Sequence, residues 1–298
     1  MATPRLRPLP FSLVLLSCLL AGTAAAAEPD TTPSTILLPV ADTVTDTSSP
    51  SSPSASEAAG EHHLVDDASN DERMRKKHLA LAGGISFLLS DFASFGGLAL
   101  RQQVLKDPNY IVGQGPDPAL MVSCLLDLLV AFTNIGTAVS LYPLLKDENE
   151  GVAMGYVGLR TLEAAVITAG VVSLLAISTL RQQNQSGMAG DPTALVATGR
   201  GLTAFHNATF LMGPGFTSGL NTVFVSALLA KSNHVPRWIA ILGLIGGPLV
   251  FGSAAATLTG LLPQYAVLPA LLAIPQFVFE ASLASYLIYK GVSPSVAW

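Results

Sequence analysis

From residue 79 onward the sequence is a succession of long apolar runs divided by short polar breaks. A helix that crosses a bilayer needs roughly 20 mostly apolar residues. Six runs reach that length, at 79–100, 119–145, 152–180, 202–230, 238–261 and 266–289. The breaks carry turn and helix-breaking residues, as in Lys106-Asp107-Pro108-Asn109 and Lys146-Asp147-Glu148-Asn149-Glu150. Hydrocarbon offers no hydrogen bonds, so apolar runs of this length must satisfy their backbone internally, as helices. The expected fold is therefore all-α: a polytopic integral membrane bundle of six transmembrane helices, preceded by a disordered linker. The lipid bilayer is its expected partner and the bacterial cell membrane its expected location.

Composition agrees. Of 298 residues, 50% are apolar and 12% charged, against roughly 25% charged in soluble domains. The net charge of −5 is unevenly spread. Residues 1–27 carry Arg5 and Arg7 ahead of an apolar stretch at 11–20 and small residues at 24–27, the pattern of a signal peptide or an N-terminal anchor. Residues 28–72 hold ten acids, no lysine or arginine and no aromatic residue. Such an acidic Ser/Thr/Pro-rich segment cannot bury enough apolar surface to order itself and is expected to be a disordered linker. Residues 73–298, the expected membrane domain, carry thirteen basic and ten acidic residues.

Orientation follows lysine and arginine near the helix ends. If the first helix starts in the cytoplasm, that side holds eight such residues, among them Arg73, Arg75, Lys76 and Lys77, and the other side four: Arg101, Lys106, Arg181 and Arg200. A cleaved signal peptide would instead export the linker and the Arg73–Lys77 cluster. The two signals oppose each other, and the orientation stays open.

Several local patterns are more specific than hydropathy. Leu126-Asp127-Leu128-Leu129 is followed by Leu141-Tyr142-Pro143-Leu144-Leu145-Lys146 and by Leu159-Arg160-Thr161-Leu162-Glu163-Ala164; Val235-Pro236-Arg237-Trp238 opens the fifth run. In these features residues 74–290 resemble the family catalogued as domain of unknown function 4386. The resemblance implies a polytopic helical domain and supplies no activity, substrate or cofactor.

Ionisable groups at bilayer depth cost about 2.5–3.5 kcal/mol each on insertion scales, so those in the apolar runs are the candidate functional residues. They are Asp91 on the first run, Asp127 and Asn134 on the second, Arg160 and Glu163 on the third, His206 and Asn221 on the fourth, and Glu280 on the sixth. Asp127 and Asn134 share a face, and Arg160 and Glu163 are spaced to pair along one helix. With both ends of the domain inside, Arg160, Glu163, Asn221 and Glu280 fall in the inner half. Asp91, Asp127, Asn134 and His206 fall in the outer half. Four carboxyls then face one arginine. Gly213-Pro214-Gly215 should kink the fourth helix, a feature of transporter cavities. Gly243, Gly247, Gly252 and Ala256 give the fifth a small-residue face suited to close packing.

Three readings follow. The first is a small solute or proton-coupled transporter using the intramembrane carboxyls. The alternative is a non-catalytic membrane scaffold or partner subunit, whose buried polar residues are structural and whose Gly-rich fifth helix docks a second copy or a membrane partner. The weakest is a hydrolase with a metal held by His206, Asp91 and Asp127. Catalytic and phosphate-binding templates are missing, which points away from an enzyme; no cofactor or metal is expected. The two cysteines exclude a disulfide framework. Without a basic stripe, nucleic acid is not an expected partner.

Overall fold

The computed structural model describes residues 55–115, 117–188, 190–232 and 234–291, with side chains from Asn70 onward. The expected signal or anchor, and the linker up to residue 54, lie outside the described residues. The chain divides into two units, Met1–Asn70 and Asp71–Trp298. The account below concerns the second.

Among the described residues every regular element is helical. Helix α1, Ala55–Leu100, is followed by the short α2, Gln102–Lys106, and a 3₁₀ turn at Tyr110–Val112. Then come α3, Pro118–Leu145, and α4, Glu150–Gln185. Helix α5, Pro192–Phe210, runs through a π-helical stretch, Leu211–Thr217, into α6, Ser218–Ser232. Helices α7, Arg237–Leu258, and α8, Val267–Lys290, complete the bundle. Helix α1 starts inside the segment read as linker, where Ala55, Glu57, Ala58 and Ala59 are strong helix formers.

Helix ends follow local chemistry. Asp117, Asn149 and Asp191 each accept a backbone N–H from the first turn of α3, α4 and α5, and Pro118 and Pro192 occupy first-turn positions that need no donor.

Among the described residues five helices are long and apolar enough to cross a membrane: Asn70–Leu100, Pro118–Leu145, Glu150–Gln185, Arg237–Leu258 and Val267–Lys290. The expected fourth span is not one of them. It is divided among α5, the π-helical stretch and α6, with Pro214 inside the π turn. Proline has no N–H to donate, so the regular α ladder cannot continue through it, and the wider turn absorbs the break.

Side chains are distributed inside out. Phe92, Leu125, Phe132 and Val172 are exposed on the outer faces, at 77%, 65%, 69% and 61%, while Asn134, Asn221 and Ser226 are buried. This is the distribution of a protein solvated by hydrocarbon.

Two apolar cores bracket the interior. One joins Phe87, Leu141, Leu145, Tyr156, Leu228, Ile239, Phe279 and Leu283. The other joins Ile111, Leu120, Cys124, Leu174 and Ile177. Read along α3, Leu120 and Cys124 belong to the second core and Leu141 and Leu145 to the first, with Asp127 and Asn134 between them. Helix α4 runs Tyr156, Arg160, Glu163, Leu174 in the opposite sense. The polar residues therefore occupy the middle of the bundle.

The glycine face of α7 is used within the chain. A side chain at Gly243 would strike Ser226 and Phe279, at Gly246 the backbone of Gln276, and at Gly247 the carbonyl of Gly219. These glycines let α7 approach α6 and α8 to backbone contact.

Candidate functional site

The buried polar residues form two clusters. The larger lies where α1, α3, α4, α6 and α8 meet. Arg160 Nη1 donates to Asn134 Oδ1 at 3.0 Å and to Glu163 Oε2 at 3.3 Å, and its Nε to Tyr156 Oη at 3.4 Å. Its guanidinium also lies over the Phe87 ring, 5.3 Å from the centroid, a favourable place for a desolvated cation. Ser90 donates to Asn134 Oδ1, and Asn221 Nδ2 donates to Glu163 Oε2 at 2.7 Å. Arg160 and Glu163 are thus paired along α4 and tied to α3 and α6.

The same cluster continues to α8. Gln276 Nε2 donates to Ser218 Oγ at 2.7 Å and to Glu280 Oε1 at 3.1 Å. Asp91, half-buried on α1, lies close enough to Glu280 for the two carboxyls to interact, and among the described residues its Oδ2 is buried without a partner. Arg160 acts on both carboxyls only through space. Among the described residues neither carboxyl forms an ion pair. Among the described residues the buried amide oxygens Asn221 Oδ1 and Gln276 Oε1 have no donor.

The smaller cluster contains a residue that the sequence marks only as a basic group near a helix end. Arg101 follows the last residue of α1, yet it is 2% exposed. Its Nη1 donates to Asp127 Oδ1 at 2.7 Å and Oδ2 at 2.9 Å, and its guanidinium stands 5.5 Å from the Phe210 ring centroid. Gly97 makes the room, because a Cβ there would come within 2.9 Å of Arg101 Nη1 and 3.0 Å of Asp127 Oδ1. Ser123 caps the Gly97 carbonyl at 3.1 Å. His206 lies nearby with Nδ1 at 3.3 Å from the Gly170 carbonyl. Together Ser94, Arg101, Asp127, His206 and Thr209 help to line a cavity of about 30 Å³.

Two expectations change. Four carboxyls do not face one arginine: Arg101 takes Asp127 and Arg160 takes Glu163, leaving Asp91 and Glu280 to each other. The division into halves also shifts, since Asn134 joins Arg160 and Asp91 joins Glu280, while Asp127 and His206 stay apart with Arg101. The conceivable metal set of His206, Asp91 and Asp127 is not brought together, because Asp91 belongs to the other cluster. Among the described residues no three His, Cys, Asp or Glu side chains are placed to hold a metal.

Outside the membrane segments, the link from α2 to α3 forms a polar cap. Arg181 at the end of α4 donates to the Tyr110 carbonyl at 2.7 Å and the Gln114 carbonyl at 2.9 Å, and its guanidinium stacks 4.3 Å from the Tyr110 ring centroid. Tyr110 donates its hydroxyl to Asp117. Burial, reinforced by that carboxylate, pushes the Tyr110 phenol well above its usual range. Beside this cap, Asn207 accepts from Tyr265 at 2.8 Å and, through its carbonyl, from Gln264 at 2.8 Å. The loop before α8 is thereby strapped to α5.

No curated protein and no solved structure matches the chain. A family profile does, over residues 82–291, which takes in both polar clusters and all the helices from the membrane part of α1 to α8. The chain belongs to the family described as a domain of unknown function, DUF4386.

Proposed function

We propose that this protein is a multi-pass membrane transporter for a small polar solute, coupled to proton movement through Asp91 and Glu280. In this reading α5, the π-helical stretch and α6 together make a sixth crossing, broken at Pro214, in the bacterial plasma membrane. The observation that carries the proposal is the Asp91–Glu280 contact. Glu280 stands near the midpoint of its spanning helix and Asp91 nine residues before the end of its own, the two carboxyls interact across two helices, and among the described residues neither is ion-paired. Two interacting carboxyls at bilayer depth can share one proton, and taking up or losing that proton changes the charge of the site by one. Asn221 Oδ1 and Gln276 Oε1, free acceptors in the same cluster, give a polar solute or a water chain somewhere to bind. The broken crossing supplies an element whose halves can move separately.

The test is charge displacement on a solid-supported membrane carrying reconstituted protein. A pH step should give a transient current that disappears in Asp91→Asn and Glu280→Gln. A wild-type protein with no current, or unchanged currents in both variants, would sink the proposal.

A second reading, a structural scaffold, draws on the Arg160 clamp, where the guanidinium contacts Asn134, Glu163, Tyr156 and Phe87. Such satisfaction suits a fixed core. On that reading the same variants would retain their folding partners and show no pH-driven current at any step.

A further inference from the structure

The smaller polar cluster contains one orphan donor and one orphan acceptor, and both belong to side chains lining one cavity. His206 Nδ1 meets the Gly170 carbonyl. A carbonyl oxygen only accepts, so in the neutral ring Nδ1 carries the proton and Nε2 is left with a lone pair. Among the described residues Nε2 has no partner, and His206 is 3% exposed. Arg101 spends Nη1 on Asp127, while among the described residues its Nε–H has no acceptor at 2% exposure. A buried donor or acceptor without a partner has given up its hydrogen bond to solvent and gained nothing in return. The cavity that Arg101 and His206 line with Ser94, Asp127 and Thr209 measures about 30 Å³. About 10–15 Å³ of such space is enough for one water, and a stable buried water needs two to four polar partners.

We propose that this cavity is a binding site for a single ordered water, which accepts from Arg101 Nε–H and donates to His206 Nε2. One molecule satisfies both orphans because it is donor and acceptor at once. An anion would leave the His206 lone pair facing a second source of electrons and would stand beside the Asp127 carboxylate. A metal cation would stand against the Arg101 guanidinium. Both are poorer occupants than water. The water ties His206 on α5 to the Arg101–Asp127 pair, and through Gly170 the link extends to α4. Phe210 and Pro214, on either side of the start of the π-helical stretch, line the same cavity. The water therefore pins the end of α5 beside the π-helical break to α1 and α3. This site does not depend on the transport reading, since it uses neither Asp91 nor Glu280.

Solid-state NMR of ¹⁵N-histidine-labelled full-length protein in lipid bilayers tests it, with His206→Gln assigning the signal. The expected result is a neutral Nδ1–H ring whose Nε2 resonance is displaced toward the hydrogen-bonded range and receives magnetisation from water protons. Val130→Leu adds a methylene to the cavity wall without touching a polar group. It should abolish the water transfer and move Nε2 toward the resonance of a free imine nitrogen. A wild-type Nε2 that already resonates as free, or that carries the proton, overturns the proposal. So does water transfer that is unchanged in folded Val130→Leu protein.

Discussion

Arg101 and Asp127 are 26 residues apart, and a single guanidinium nitrogen holds both carboxylate oxygens at 2.7 and 2.9 Å. The pair is nearly solvent-free, with side chains 2% and 8% exposed. It fastens the end of α1 to the third turn of α3, on its buried face. Removing one partner leaves a buried charge without compensation, which typically costs 3–5 kcal/mol.

Arg101→Ala is therefore expected to destabilise the protein by about 3–5 kcal/mol. Asp127→Ala should cost a similar amount, and the double variant clearly less than the sum of the two. Thermal unfolding in a fixed detergent, run as a double-mutant cycle, checks this. Additive losses would show that the pair contributes no coupling. Gly97→Ala should mimic part of the effect by displacing Arg101 Nη1, with the loss suppressed in an Asp127→Ala background.

Close approach of α7 gives a second prediction. A Cβ at Gly246 would lie 2.5 Å from Gln276 N and 2.7 Å from its Cα, both backbone atoms that cannot rotate away. Overpacking of this kind costs typically 1–3 kcal/mol. Gly246→Ala should lower the unfolding midpoint and disturb the Gln276–Glu280 bond, whereas Gly201→Ala, which meets nothing within 4 Å, should be neutral or mildly stabilising. Equal midpoints for the two variants would contradict the packing described for α7 and α8.

Tyr110 supplies a pH dependence outside the membrane segments. Its phenol titrates above the usual tyrosine range because it is buried and donates to Asp117. A raised pKa in the folded state means that the protonated form is favoured by folding. The stabilisation is full below about pH 10, the value of an unperturbed tyrosine, and declines as pH climbs toward the folded value. In an ultraviolet pH titration, Tyr110→Phe should remove one ionisation from the late part of the curve. Retention of the late step in the variant would assign it elsewhere.

Much of the fold was legible because one physical demand, helical satisfaction of backbone groups in hydrocarbon, governs the apolar runs. The second run, expected at 119–145, is the helix Pro118–Leu145, and the sixth, expected at 266–289, is Val267–Lys290. Hydropathy alone did not show that the fourth run would divide, although Gly213-Pro214-Gly215 marked the place. The site was legible only in part. Intramembrane charges are scarce, so Asp91, Asp127, Arg160, Glu163 and Glu280 stood out, and spacing along one helix put Arg160 beside Glu163. Which helix meets which is a tertiary matter. Asp91 could not be matched to Glu280, nor Asn134 to Arg160, across 189 and 26 residues of chain. Arg101 reads in sequence only as a basic group near a helix end, because it directly follows an apolar run. A weak signal did exist: Gly96-Gly97 one turn before it leaves space for a side chain folding back.

The last prediction separates structural from functional carboxyls. Arg160 and Glu163 are satisfied by partners on three helices, so Arg160→Ala should destabilise strongly, by about 3–5 kcal/mol, as a broken buried pair does. Arg160→Lys should recover only part of this, because an ammonium cannot contact Asn134, Glu163 and Tyr156 in the geometry of a planar fork. Asp91 and Glu280 are held together without a paired cation, an arrangement that stability alone does not favour. Asp91→Asn and Glu280→Gln remove charge yet preserve shape and hydrogen bonding. Both should unfold at or slightly above the wild-type midpoint while losing the pH-driven current. Differential scanning fluorimetry of the four variants in one detergent, set beside their currents, gives the comparison. If Glu280→Gln falls as far as Arg160→Ala, the Asp91–Glu280 contact is part of the structural core and the transport reading loses its principal support.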